Sequence, residues 1–92
     1  MVYPKFKEEI KMKLEKHFVI SEGFYTNRVF DFITLSKSVT STITFYKDNM
    51  KANGKDMVRM MSLFLIVKKG DLISITAEGP NADAVLEEII TL

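Results

Sequence analysis

Between Ile10 and Ile20 the chain alternates. Ile10, Met12, Leu14, Phe18 and Ile20 fall on one parity, and Lys11, Lys13, Glu15 and His17 fall on the other. Successive side chains leave a strand on opposite sides, so period two predicts a strand with one wet face. A second pattern crosses the same stretch, because Phe6, Ile10, Leu14 and Phe18 recur at every fourth position. A helix therefore stays open there, and residues 1–10 read as an N-terminal extension, whether strand, helix or unstructured arm.

Gly23 closes that run, and Thr26 and Asn27 offer helix caps. Val29, Phe30, Phe32, Ile33 and Leu35 then give a helix with a wide buried face from Thr26 to Lys37. From Ser41 to Tyr46 the chain alternates again, with Ile43 and Phe45 inward and Thr42, Thr44 and Tyr46 outward. β-branched and aromatic residues at period two make this a strand. Lys47 to Asn49 reads as a hairpin turn and Met50 to Asn53 as the returning strand. Gly54 breaks the chain, and Asp56 stands where an N-cap is expected for a short helix, "MVRMMSL".

Lys68 to Asp71 is a second turn, after which Ile73, Ile75 and Ala77 alternate with Ser74 and Thr76. Gly79 to Asn81 starts the last helix, with Pro80 suited to its first turn. The stripe of that helix is Ala82, Val85, Leu86, Ile89 and Leu92. The order is β-α-β-β-α-β-α, an α+β chain. A sheet with its helices on one face is the two-layer arrangement that buries both sets of apolar residues.

Composition narrows the function classes. Thirteen basic and 12 acidic residues leave a net charge of +1, which gives no electrostatic reason to expect nucleic acid or an anionic membrane. Without cysteine there is no disulfide or thiolate chemistry, which fits a reducing cytoplasm. The longest apolar run, Leu63 to Val67, is far too short to span a membrane, and the first residues hold no signal-peptide core. No metal-ligand spacing, Gly-rich phosphate loop or nucleophile–base pair appears. The expectation is a protein without cofactor or metal, and not an enzyme. Glu87 and Glu88 are neighbours on a helix and so diverge, and His17 reads as an exposed histidine with no partner to tune it.

Two segments carry a resemblance. "GFYTNRV" after the first strand and "GKDMVRMMSL" opening the short helix, together with the element order, resemble the histidine-containing phosphocarrier (HPr) family of the bacterial sugar phosphotransferase system. The resemblance runs from about Lys11 to Leu92, so residues 11–92 form the HPr-like domain. It implies an open-faced β-sandwich, four antiparallel strands with three helices on one face.

The resemblance also implies what this chain has exchanged. The family's phosphorylation motif reads Gly-Ile/Leu-His-Ala-Arg-Pro, and here the positions are Gly23, Phe24, Tyr25, Thr26, Asn27 and Arg28. Tyr25 falls on the phosphate-accepting histidine, Asn27 on the arginine and Arg28 on the proline. A phenol with a pKa near 10 does not replace an imidazole that takes and returns phosphate near neutrality. Arg28 does not restore the arginine, since one residue along a helix turns a side chain by about 100°. Asp56 falls on the family's regulatory serine, whose phosphorylation in the Gram-positive branch makes the protein a corepressor of a LacI-type regulator. Aspartate there is an N-cap, a partial mimic of phosphoserine, or both.

A third feature departs from the family. Between Leu63 and Gly70 the chain has two residues more than the usual pattern. Met60, Leu63, Leu65 and Val67 fit the core under the sheet, whereas Met57, Met61 and Phe64 together exceed what a short helix buries. Methionines suit surfaces that repack against partners. The resemblance places docking at the start of the first helix and on the second helix, which selects Tyr25, Asn27, Arg28, Lys55, Asp56, Met57, Met61 and Phe64. The expected role is a non-catalytic regulatory protein. Its partner would be a LacI-type catabolite regulator or an enzyme of the phosphotransferase system. An atypical phosphocarrier and a self-associating homodimer are the alternatives.

Overall fold

The computed structural model describes residues 12–20 and 26–91. The N-terminal extension expected over residues 1–10 lies outside these, as do Tyr25 and Leu92. The elements are β1 (Met12–Val19), α1 (Thr26–Ser38), β2 (Thr42–Lys47), β3 (Met50–Asn53), α2 (Met57–Leu65), β4 (Leu72–Gly79) and α3 (Ala82–Ile90). Alternation, and not the four-residue repeat, decides residues 12–19. Leu14 and Phe18 pack against the core, while Lys13, Glu15 and His17 are exposed.

The sheet is antiparallel in the order β1-β4-β2-β3. Its register sorts the faces. Lys16, Ile75, Phe45 and Ala52 form one cross-strand row on the helix side; His17, Ser74, Tyr46 and Lys51 form the next, on the open side. Lys16 has the inward parity yet stays exposed at the sheet edge, and an inward-pointing charge on an edge strand discourages pairing with another chain.

One core joins the layers. Ile43, Phe45, Ile73, Ile75 and Ala77 of the sheet meet Val29, Phe32 and Ile33 of α1, Met60, Leu63 and Phe64 of α2, and Ala82, Val85, Leu86 and Ile89 of α3. At its centre three rings from α1, β2 and α2 touch: Phe32 to Phe45 at 5.2 Å, Phe45 to Phe64 at 5.8 Å and Phe32 to Phe64 at 6.0 Å between centroids. Such pairs add roughly 0.5–1.5 kcal/mol each beyond the area they bury.

Two corners fix the connections. Gly79 ends β4 with φ +137°, and a Cβ there would stand 3.0 Å from Cα of Ser41; only glycine suits that backbone and that approach. The Ser41 hydroxyl donates to the carbonyl of Pro80. Pro80 therefore precedes the helix instead of lying in its first turn, and Asn81, in the left-handed region at φ 62°, occupies the cap position without a side-chain cap bond. At the β2–β3 hairpin, Lys47 Nζ lies 2.9 Å from Asp48 and 3.6 Å from Asp71. The hydrogen bond to Asp48 is the main cause that holds the Lys47 amine above its usual range, and the charge of Asp71 adds to it. Asp71 is held below the usual carboxylate range, first by the backbone N–H of Lys68 at 2.9 Å and then by Lys47.

Candidate docking site on the second helix

The start of α2 is built by Asn53, Lys55 and Asp56, on either side of Gly54. Asn53 ends β3, and its Oδ1 accepts the N–H of Lys55 at 2.9 Å while its carbonyl accepts that of Asp56 at 2.9 Å. Asp56 is extended, at φ −94° and ψ 100°, and its Oδ1 accepts the N–H of Arg59 at 3.1 Å. That is the N-cap the sequence predicts, worth about 1 kcal/mol. At the other end Ile66 donates to the carbonyl of Leu63 at 3.3 Å, a three-residue turn that closes the helix.

A residue turns about 100° around a helix, and this sorts α2 into two faces. Met60, Leu63 and Phe64 point into the core. Met57, Met61 and Leu65 follow one another at intervals of four and make a ridge on the outer face, with Val58 beside it. Met57 is 48% exposed, Val58 75% and Leu65 81%, and Met61 is half-buried. Ile66, at 48%, carries the apolar surface past the helix end.

This outcome corrects two expectations. Phe64, assigned to the docking face, is 7% exposed. It lies four residues after Met60, on the inward side, where it meets Phe32 and Phe45. Leu65, grouped with the core, is the most exposed large apolar residue of α2 because it lies eight residues after Met57. The signal was in the spacing. The helix runs two residues beyond the predicted Leu63, so Phe64 and Leu65 belong on the same helical wheel as Met57. Sequence reasoning also passed over Val58.

The other candidates divide. Lys55 and Asp56 lie at the entrance to α2 and Met57 and Met61 on the helix itself, with the first three exposed. Arg28 is exposed in the first turn of α1, a helix that packs against α2. Asn27 is placed in that same turn by its backbone, and Tyr25 lies outside the described residues. His17 is exposed but not without partners. Its Nδ1 is 2.7 Å from Ser74 Oγ and its Nε2 3.8 Å from Glu15. It belongs to the open face of the sheet, opposite the helices.

Elsewhere a groove of about 500 Å³ runs between β1 and α3, lined by Leu14, Lys16, Asp83, Ala84, Leu86 and Glu87; it contains no candidate residue. Among the described residues no cluster of three His, Cys, Asp or Glu side chains could hold a metal ion. No described helix is long and apolar enough to cross a membrane.

Comparison with known proteins adds the following. Residues 14–92 match the family described as PTS HPr component phosphorylation site. The phosphocarrier protein HPr of Vibrio cholerae serotype O1 is 29% identical over 70 residues, covering 76% of this chain and 80% of that protein. The crystal structure of phosphocarrier protein HPr from Bacillus anthracis superposes with a TM-score of 0.74 at 26% identity, covering 86% of this chain and 94% of that one. An HPr dimer from Thermoanaerobacter tengcongensis gives a TM-score of 0.65 at 26% identity, covering 82% and 86%.

Proposed function

The chain belongs to the HPr family, the phosphocarrier proteins of the sugar phosphotransferase system, and from that premise we propose a non-catalytic docking protein. It binds a partner protein through α2 and the start of α1, in the cytoplasm, without carrying phosphate. One observation carries the docking: Met57, Val58 and Leu65 are left exposed on the outer face of α2, with Met61 half-buried between them, on a small domain. A contiguous exposed apolar surface of this kind marks an interaction site.

The absence of phosphate transfer is supported by the residue chemistry. Tyr25 stands at the acceptor position, and a phenol does not titrate near neutral pH. The chain has one histidine, His17. It lies on the opposite side of the sheet from α1 and is hydrogen-bonded to Ser74.

Asp56 gives the docking surface its charge. One carboxylate oxygen caps α2, and the acidic group is built into the chain without any kinase. A regulator of LacI type that reads phosphoserine at this position would find a permanent, weaker substitute. Asn27 removes the cation that the family places nearby, so recognition centres on Asp56 and the apolar ridge.

Calorimetry of the purified, unphosphorylated protein with the LacI-type catabolite regulator of its host tests this reading. The expected result is binding that weakens at least tenfold in Asp56→Ala, about 1.4 kcal/mol. No binding by the wild-type protein would overturn the corepressor role. Transfer of labelled phosphate from the general enzyme of the system to this chain would overturn the non-catalytic one.

A further inference from the structure

We propose that Ser74, on the open face of the sheet, is an acyl-accepting serine. It takes an acyl group from an activated ester, and His17 is the base that removes its proton. The pair lies on the side of the sheet away from α2, so it is independent of the docking reading.

Register brings the two residues together. His17 of β1 and Ser74 of β4 are direct cross-strand partners, and side chains so placed leave one face with their β-carbons about 5 Å apart. His17 Nδ1 is 2.7 Å from Ser74 Oγ, the reach that a nucleophile needs from its base. Glu15, two residues earlier on the same face, places a carboxylate oxygen 3.8 Å from Nε2. Its negative charge favours the tautomer with the proton on Nε2, which leaves Nδ1 to accept and Ser74 to donate. Glu15 is thus a positioning residue.

The other hydrogen-bonded hydroxyls among the described residues lack such a partner. Ser38 donates to the carbonyl of Leu35, Ser41 to that of Pro80, and Thr91 to those of Glu87 and Glu88. A carbonyl oxygen holds a hydroxyl but does not carry its proton away. An imidazole does.

Placement and access agree with this role. Strand β4 is bonded to β1 on one side and β2 on the other, which fixes the Ser74 backbone, and strands hold a site more precisely than loops do. His17 and Glu15 are exposed and Ser74 is half-buried, so a small ester reaches the hydroxyl from solvent.

In the step, Ser74 Oγ bonds to the carbonyl carbon of the ester while its proton passes to His17 Nδ1. The carbonyl carbon then releases the phenoxide, which takes the proton from His17. The ladders on both sides of β4 engage the backbone N–H groups beside Ser74, so none is turned toward the oxyanion that forms. Acylation therefore needs a good leaving group, and the serine ester accumulates without turning over.

The probe is p-nitrophenyl acetate, followed by nitrophenolate release and by mass spectrometry of the digested protein. The expected product is an acetyl ester at Ser74, formed faster than at any other serine of the chain. Ser74→Ala removes it. His17→Gln keeps a polar side chain that takes no proton, and it slows acetylation of Ser74 on the order of a hundredfold, the low end of what a positioned base supplies. Glu15→Gln slows it less, and Glu15→Asp restores part of the loss. These side chains lie outside the core, and circular dichroism confirms that each variant folds. Wild-type protein acetylated only on lysines, or on Ser62 as fast as on Ser74, overturns the proposal. So does a His17→Gln protein that accepts the acetyl group at the wild-type rate. A Glu15→Gln protein that matches wild type overturns the positioning role of Glu15.

Discussion

A β-carbon placed on Gly54 would fall 2.1 Å from the hydroxyl oxygen of Ser36 and 2.7 Å from its Cβ. The two residues sit where the last turn of α1 meets the turn before α2. Gly54 is needed there for space. Ser36 is fully buried, and its Oγ has no hydrogen-bond partner among the described residues.

Gly54→Ala is therefore expected to cost about 1–3 kcal/mol through overpacking, read by urea denaturation. Ser36→Ala should be neutral or slightly stabilising, because it removes a buried hydroxyl that is not paired. The double variant should not recover, since the Ser36 Cβ remains in the way.

Asp56 holds a cap and a charge at once, and asparagine separates them. Asp56→Ala should lose about 1 kcal/mol of stability, whereas Asp56→Asn should keep it, because asparagine caps equally well. Affinity for the catabolite regulator should fall in both variants. An Asp56→Asn protein that binds as tightly as wild type would show that the charge takes no part.

Adjacent residues on α2 should behave in opposite ways. Phe64→Ala should cost about 3–5 kcal/mol, as a core aromatic does, while Leu65→Ala should stay within about 0.5 kcal/mol. Partner affinity measured by calorimetry should reverse that order, with Leu65→Ala weakened and little stability lost.

The Asp71 carboxyl is held below its usual range by the Lys68 N–H and by Lys47. A depressed folded-state pKa gives stability that is present above the unfolded value and lost as pH falls through the folded one. Wild type should thus exceed Asp71→Asn in stability at neutral pH, and the difference should close at pH values below the ordinary carboxylate range. Lys47 has the opposite sign. Its raised pKa gives stability present below the ordinary lysine range and lost as pH climbs past it. Urea midpoints across a pH series, for wild type, Asp71→Asn and Lys47→Met, check both signs.

The element order and the antiparallel sheet were legible because alternation and helical spacing are strong over residues such as Ile43, Phe45, Ile73 and Ile75. The end of α2 was not. No glycine follows Leu63 until Gly70, and the stop is set by a backbone bond from Ile66 to Leu63, which no side chain announces. Placing that stop too early put Leu65 inside and Phe64 outside. The start of α3 misled for a similar reason, since Pro80 is anchored by Ser41, 39 residues away. His17 found a partner in Ser74, 57 residues distant, through a register that periodicity does not fix.

Strand β4 bonds both β1 and β2, and this has a consequence for the chain as it is made. Among the described residues β1 pairs only with β4, the last of the four strands, so its neighbour is made after every other strand. With His17 and Ser74 separated by 57 residues, the wait is roughly 3 to 11 s at a synthesis rate of about 5–20 residues per second. Through that interval Glu15, Lys16 and His17 keep the stretch between Leu14 and Phe18 polar. The charges on β1 thus serve the nascent chain before they serve the finished fold.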